Sequence, residues 1–475
     1  MRQIQCSTLF TWPSSSENEQ SACGSYDGTV FAMSYEHSGI HETGPTRLKA
    51  EFIDPEAHSA PVTALAIYDN TVASGSADEA IQLFSLSRHI RMGCLELHTG
   101  SVRHLVFADS RHLLSAGEDA CLGVWRRSGG RDRGASAWQC IRQMRRHKAP
   151  IISILLHPSL LLAFSLADGE GDHTFRIWSL THGRQAYTTR LRALNAEGAT
   201  ALAAVVVPEP PRHHHHLLLL FVTPPSSTHS HRLDFIDLTQ VRQKALFSAR
   251  FPTLLSVSPV VFHVEEACLY LLAGIGNALN AYRCHLTENK MELVAKTKVP
   301  GKRFKFLKAL PWPDELVKAE PEVYGGRRRL VVLVTTDMDG SYVRGYAVDL
   351  EATSTTAAED TVPSLALRPV FTYDIHAIRL TQVDAAWTSG VGEVTEEEVD
   401  HTVSAEGAEG MEISDDEGES GSEEEEDLGD KEDASMLEKL IKHVIDAANL
   451  SIMPTIFEAV LYGKDLSKGV CGTPT

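Results

Sequence analysis

The 475-residue chain lacks most of the patterns that announce a particular chemistry. Its eight cysteines are Cys6, Cys23, Cys94, Cys121, Cys140, Cys268, Cys284 and Cys471, and no two form a Cys-x-x-Cys pair. Scattered thiols argue against a zinc site or a disulfide framework and fit reduced cysteines of the cytosol or nucleus. The opening MRQIQCSTLF has no apolar core of the kind a secretory signal needs. Long hydrophobic runs are missing too. The strongest, Ile151 to Ala167, is short for a bilayer and broken by His157-Pro158, so it reads as two buried strands around a turn. No membrane partner is expected.

A net negative charge is missing from most of the chain as well. The net charge is −19, yet between Val391 and Asp433 there are 20 Asp or Glu against one Lys, so the remainder is close to neutral. That tract is too polar to offset its ordering entropy, and residues 391–433 are expected to be a disordered linker. Within it Ser414 precedes DDE and Ser422 precedes EEEE, which makes both candidates for an acidophilic kinase. After it, Ser435 and Glu438 form a capping box, and Leu437, Leu440, Ile441, Val444, Ile445 and Ala448 follow at helical spacing until Pro454. Residues 434–475 are therefore expected to hold an amphipathic helix that docks on the body or in a partner's groove.

What the chain does contain is a repeat. From His58 to Phe84, a serine (Ser74) lies four residues before an aspartate (Asp78), and an aromatic six after it. From His98 to Trp125, Ser115 and Asp119 keep the same spacing, and from His147 to Trp178 the aspartate is Asp172. Asp27 stands six before Met33. Each unit reads as short alternating strands with a turn before the third, at a period near 40 residues, which fits a β-propeller. Weaker units follow at His231–Leu238, at Leu269–Cys284, and at Leu330–Leu350, where Tyr346 comes one residue late and suggests a bulge. Seven units result. A closed ring needs one more strand, and His376–Trp387 competes for that place with the N-terminal RQIQCSTLFTW.

The spacing of His, Ser, Asp and aromatic resembles WD40 repeats, although the usual Trp-Asp ending is replaced by LFSL, VWRR and IWSL. The resemblance implies that His58, Ser74 and Asp78, then His98, Ser115, Asp119 and Trp125, then His147, Asp172 and Trp178, form a structural hydrogen-bond network. The rival reading is a Ser-His-Asp catalytic triad. Three copies at one spacing favour structure, since an enzyme needs only one. The expected fold is thus all-β, a seven-bladed WD40 β-propeller over residues 1–390, followed by the acidic linker and the short helix.

GSADE, HTGSV, HLLSAGED and LHPS, in that order, resemble the p21-activated kinase-interacting protein 1-like family, which includes the yeast maintenance-of-killer WD protein. The similarity is good over residues 58–192, thin to 300, and moderate to 387. It implies a non-catalytic scaffold in nucleolar assembly of the large (60S) ribosomal subunit, with pre-60S proteins and pre-rRNA as partners. It also implies negative regulation of p21-activated kinase, so the alternative is a signalling adaptor, either that regulator or, as a separate reading, a ubiquitin-ligase substrate receptor. The family's lysine-rich tail is absent, and the acidic tract stands in its place.

Other candidate sites are weaker. Asp337–Gly340 resembles the start of a calcium loop, but the twelfth position is Val348 where a bidentate Glu is required. The run Arg212–His216 reads as a loop entering a strand rather than a metal site. Three basic clusters carry Arg131 and Arg133, then Lys302, Arg303 and Lys305, then Arg327, Arg328 and Arg329. With aromatics nearby, they are candidates for RNA or pre-ribosome contact, although no base-reading motif is present. No cofactor, metal or small-molecule substrate is expected.

Overall fold

The computed structural model describes residues 4–13, 21–35, 48–68, 70–86, 88–128, 137–157, 161–180, 182–194, 197–209, 214–223, 230–237, 245–265, 268–312, 317–318, 320–336, 341–350, 363–375 and 383–390. The acidic linker with Ser414 and Ser422, the C-terminal helix, Arg131, Arg133 and Asp337–Gly340 lie outside them.

Strands come in sets of four because the sequence alternates short apolar runs with tight polar turns. In the set at 62–96, Val62–Tyr68, Thr71–Ser76, Ala80–Ser85 and Ile90–Glu96 pair in chain order, all antiparallel. The sets at 102–144, 151–190, 200–250, 260–298 and 303–374 repeat that order. Apolar content tracks position within a set. Second strands such as His112–Gly117 are buried throughout, and outermost strands such as Arg184–Arg190 are largely open to solvent. A strand buried on both faces must lie in a sheet sandwiched between two others. The inner strands supply that arrangement. Val62–Tyr68 packs on Val102–Asp109, that strand on Ile151–Leu156, and so on through Thr200–Glu209, Val260–Glu265 and Arg303–Pro311 to Val383–Gly390, which returns to Val62–Tyr68. The result is an all-β propeller. Among the described residues the helices are short, Pro321–Tyr324 being a single α-helical turn.

The expectation of a seven-bladed propeller needs correction. Six sheets are four-stranded; the residues counted as the first unit belong to a five-stranded sheet that closes the ring. There, Ile4–Pro13 pairs antiparallel with Ser21–Ser25, and Val383–Gly390 adds alongside Ile4–Pro13 in parallel, from Cys6 opposite Val383 to Pro13 opposite Gly390. The two rival closing strands are therefore neighbours in one sheet.

Every sheet carries a bulge at the same place, just before the aromatic position of its third strand: Ala32/Met33, Leu83/Phe84, Val124/Trp125, Ile177/Trp178, Phe235/Ile236, Ala281/Tyr282 and Gly345/Tyr346. The bulge at Tyr346 is thus a property of the repeat and not a local exception. A bulge sharpens twist, which lets four strands fan out from a crowded centre. The turn entering the third strand also recurs. Gly28 has φ +88°, and a Cβ there would lie 1.9 Å from the His58 carbonyl oxygen, so only glycine fits.

Candidate functional site

The candidate residues meet at three equivalent turns. In the 102–144 sheet, His98 Nδ1 lies 3.0 Å from Asp119 Oδ1 and Nε2 lies 2.8 Å from Ser115 Oγ, while the Trp125 indole N–H donates to Ser115 Oγ at 2.9 Å. In the 62–96 sheet, His58 Nδ1 is 3.0 Å from Asp78 Oδ2 and Nε2 is 2.8 Å from Ser74 Oγ. Phe84 takes the aromatic place there and has no N–H to give. In the 151–190 sheet, His147 Nδ1 is 2.8 Å from Asp172 Oδ2 and Nε2 is 2.7 Å from Ser165 Oγ, with Trp178 Nε1 donating to the same oxygen at 2.7 Å.

Ser165 was not legible from the Ser-to-Asp spacing of the other two units, because it stands seven residues before Asp172 instead of four. The hairpin there is longer, with pairing continuing to Gly169 opposite Asp172. The same three-residue extension appears between Ser165 and Trp178, and that was the available signal.

The donor inventory fixes the direction of each chain. A carboxylate can only accept, so His Nδ1 donates to Asp. The neutral ring then leaves Nε2 as an acceptor, and it receives the serine O–H. The serine oxygen is free to accept the indole N–H. Each aspartate also accepts backbone N–H groups: Ser59 and Ala80 to Asp78, Thr99 and Cys121 to Asp119, Lys148 to Asp172. Burial pushes the three carboxyls up, but these hydrogen bonds outweigh it and hold all three below the usual carboxylate range. His147 goes down, because burial outweighs the pull of Asp172.

Connectivity alone does not separate this arrangement from a catalytic triad; accessibility does. Ser74 and Ser115 are fully buried and Ser165 is 1% exposed, so no scissile carbonyl can reach their oxygens. His98, Asp119 and Cys121 also lie close enough together to suggest a metal site. Yet the Nδ1 that would ligate is occupied by Asp119, and burial pushes the Cys121 thiol up to about 11, so it keeps its proton. Asp119→Ala is expected to strip the acceptor from His98, Thr99 and Cys121 and cost about 1–3 kcal/mol. A denaturation curve superimposable on that of the unchanged protein would contradict this role.

The basic candidates are not brought together. Arg303 is paired with Thr336 at one end of its sheet and Arg329 with Pro311 at the other, on the order of 25 Å away along the strand. Lys302, Arg303 and Lys305 are exposed. Arg327, Arg328 and Arg329 are half-buried and engaged internally. Arg327 binds Glu265 at 2.6 Å and lies over the Tyr270 ring, Arg328 binds Asp349 at 2.8 Å, and Arg329 Nη2 is 2.9 Å from His263 Nδ1. His214 opens a strand paired with Glu209. Cys94, Cys121, Cys140, Cys268 and Cys284 are unbridged. No helix among the described residues is long and apolar enough to cross a membrane.

No family model matches the chain. It is 31% identical over 169 residues to p21-activated protein kinase-interacting protein 1-like of Xenopus laevis, which is 36% of this chain and 42% of that protein. It is 28% identical over 193 residues to Protein MAK11 of Saccharomyces cerevisiae, 37% of this chain and 44% of that protein. Over those stretches the chain is their homologue. It spans less than half the length of either. Among solved structures, the crystal structure of RRP9 WD40 repeats aligns over 63% of this chain and 85% of that chain, at 12% identity and a TM-score of 0.41.

Proposed function

We propose that this protein is a non-catalytic WD40 scaffold in nuclear and nucleolar assembly of the large ribosomal subunit. Its homology to MAK11 carries the reading, taken with the place of that protein in the family the sequence resembles. The buried serines support it, since the repeat devotes its one reactive-looking constellation to holding turns. A closed ring of sheets offers two loop faces and a rim to several partners at once, which suits assembly rather than turnover. Affinity purification of the tagged chain with RNA sequencing tests it. Precursors of the large-subunit rRNA and their proteins are the expected recovery.

A second reading has its own observation: a relative is named for interaction with p21-activated protein kinase. Recovery of such a kinase, or of cullin subunits, without ribosomal precursors would replace the first reading with an adaptor role.

A further inference from the structure

Outside the turns already described, a cavity of about 680 Å³ opens at the rim between the 102–144 and 151–190 sheets. Its walls include Arg145 and Arg146, just after the outer strand Trp138–Met144, and Arg176, Arg184 and Gln185 on the last two strands of the next sheet. Arg145, Arg146 and Arg184 are exposed, and none has a carboxylate partner among the described residues. Arg176 is held in place by Thr174, 3.1 Å from its Nε, and by Gln185. Its nearest carboxylate, Asp172, is 3.9 Å away and already bound to His147 and the Lys148 N–H. This contrasts with Arg327 and Arg328, whose charges are matched internally.

We propose that this groove binds the phosphate backbone of a single-stranded RNA. The inference deepens the ribosome-assembly reading and rests on it for the choice of RNA. The physical case is local. Four guanidiniums lining one cavity repel one another; the charge on Arg176 is disfavoured first by burial and, against the opposing pull of Asp172, by Arg146 as well. An oxyanion relieves that repulsion. The guanidinium fork matches phosphate in paired hydrogen bonds, and a concave site longer than one phosphate admits consecutive ones. Gln143 and Gln185 add neutral groups that bond sugar or base edges without preference for sequence.

The test uses the full chain and a fluorescent single-stranded RNA, read by anisotropy across a salt series. Arg145→Gln, Arg146→Gln and Arg184→Gln together should weaken binding at least about tenfold at low salt and lower the slope of log K against log salt by about 2. The matching Lys variants should keep most of the slope while losing affinity. The exposed positions should leave the denaturation midpoint unchanged. Unaltered binding by the Gln variant overturns the proposal, as does equal, equally Arg-dependent binding of poly-glutamate, which would make the groove a reader of acidic protein. Loss of RNA binding in the Gln variant with undiminished recovery of precursors would uphold the groove and separate it from the scaffold role. Kinase recovery alone would remove the scaffold reading whatever RNA does.

Discussion

Acidification from pH 7 to pH 5 destabilises the propeller by about 4 kcal/mol, on the order of 2 kcal/mol from each of two histidines, His157 buried and His104 partly so. His104 reaches the Ile152 carbonyl from Nε2, and His157 sits beside the Phe164 ring. Burial pushes both from 6.5 to about 4, so both stay neutral in the folded protein well below neutral pH. The unfolded chain takes up these protons first as pH falls. Their contribution is whole above about 6.5, is lost between there and about 4, and changes no further below. Asp78, Asp109, Asp119 and Asp172 act in the same direction in a lower window: held below the usual range, they withdraw stability only as pH drops below about 4. Urea unfolding at pH 7, 6 and 5 measures the loss, and His104→Gln with His157→Phe should remove most of it, leaving the share of His147 and His231, which burial also pushes down. A wild-type midpoint that does not move between pH 7 and pH 5 would show that these rings are not held neutral.

Trp178→Ala costs about 3–5 kcal/mol, and Trp178→Phe about 1 kcal/mol. The indole is 1% exposed and belongs to the core that joins Leu114, Val124 and Ile154 across two sheets, so its removal empties a space that rigid strands cannot close. Phenylalanine keeps most of that packing and removes only the N–H that caps Ser165. Phe84, at the equivalent bulge of the 62–96 sheet, shows that a blade accepts a ring without that donor. If both variants unfold at the same denaturant concentration, packing is not the larger part of the effect.

The blades from 58 to 178 could be read in advance because their turns repeat one polar solution with one spacing. Later sheets bury polar groups too, but partner them differently and incompletely, Asn280 Oδ1 being left without a partner. Asp234 is held by Arg232 and Ser248, Asn280 by the Tyr282 hydroxyl, and Arg344 by Thr335 and the Pro300 carbonyl over the Tyr342 ring. Unlike side chains at unlike spacings leave no periodic trace, so only strand alternation remained legible there. Closure was ambiguous for another reason. Which of two strands completes a sheet depends on backbone pairing between opposite ends of the chain, which composition does not encode. The arginine groove was not legible because Arg145-Arg146 is only a short basic pair and Arg184 lies far from it in sequence, and only the seating of one sheet on the next brings them together.

The parallel pairing of Ile4–Pro13 with Val383–Gly390 sets a timetable for synthesis. A ribosome adds about 5–20 residues per second, so the 62–96 sheet is finished on the order of half a minute before Gly390 is made. Until then the nascent protein is an open arc. Phe31, which ends in the core of Leu310, Trp312, Val332 and Phe371, lacks those partners for most of that interval. Each molecule therefore passes through a long stage with an apolar flank and an unpaired strand edge facing the crowded surroundings of the polysome, and demand for chaperones should end only when the last strand arrives.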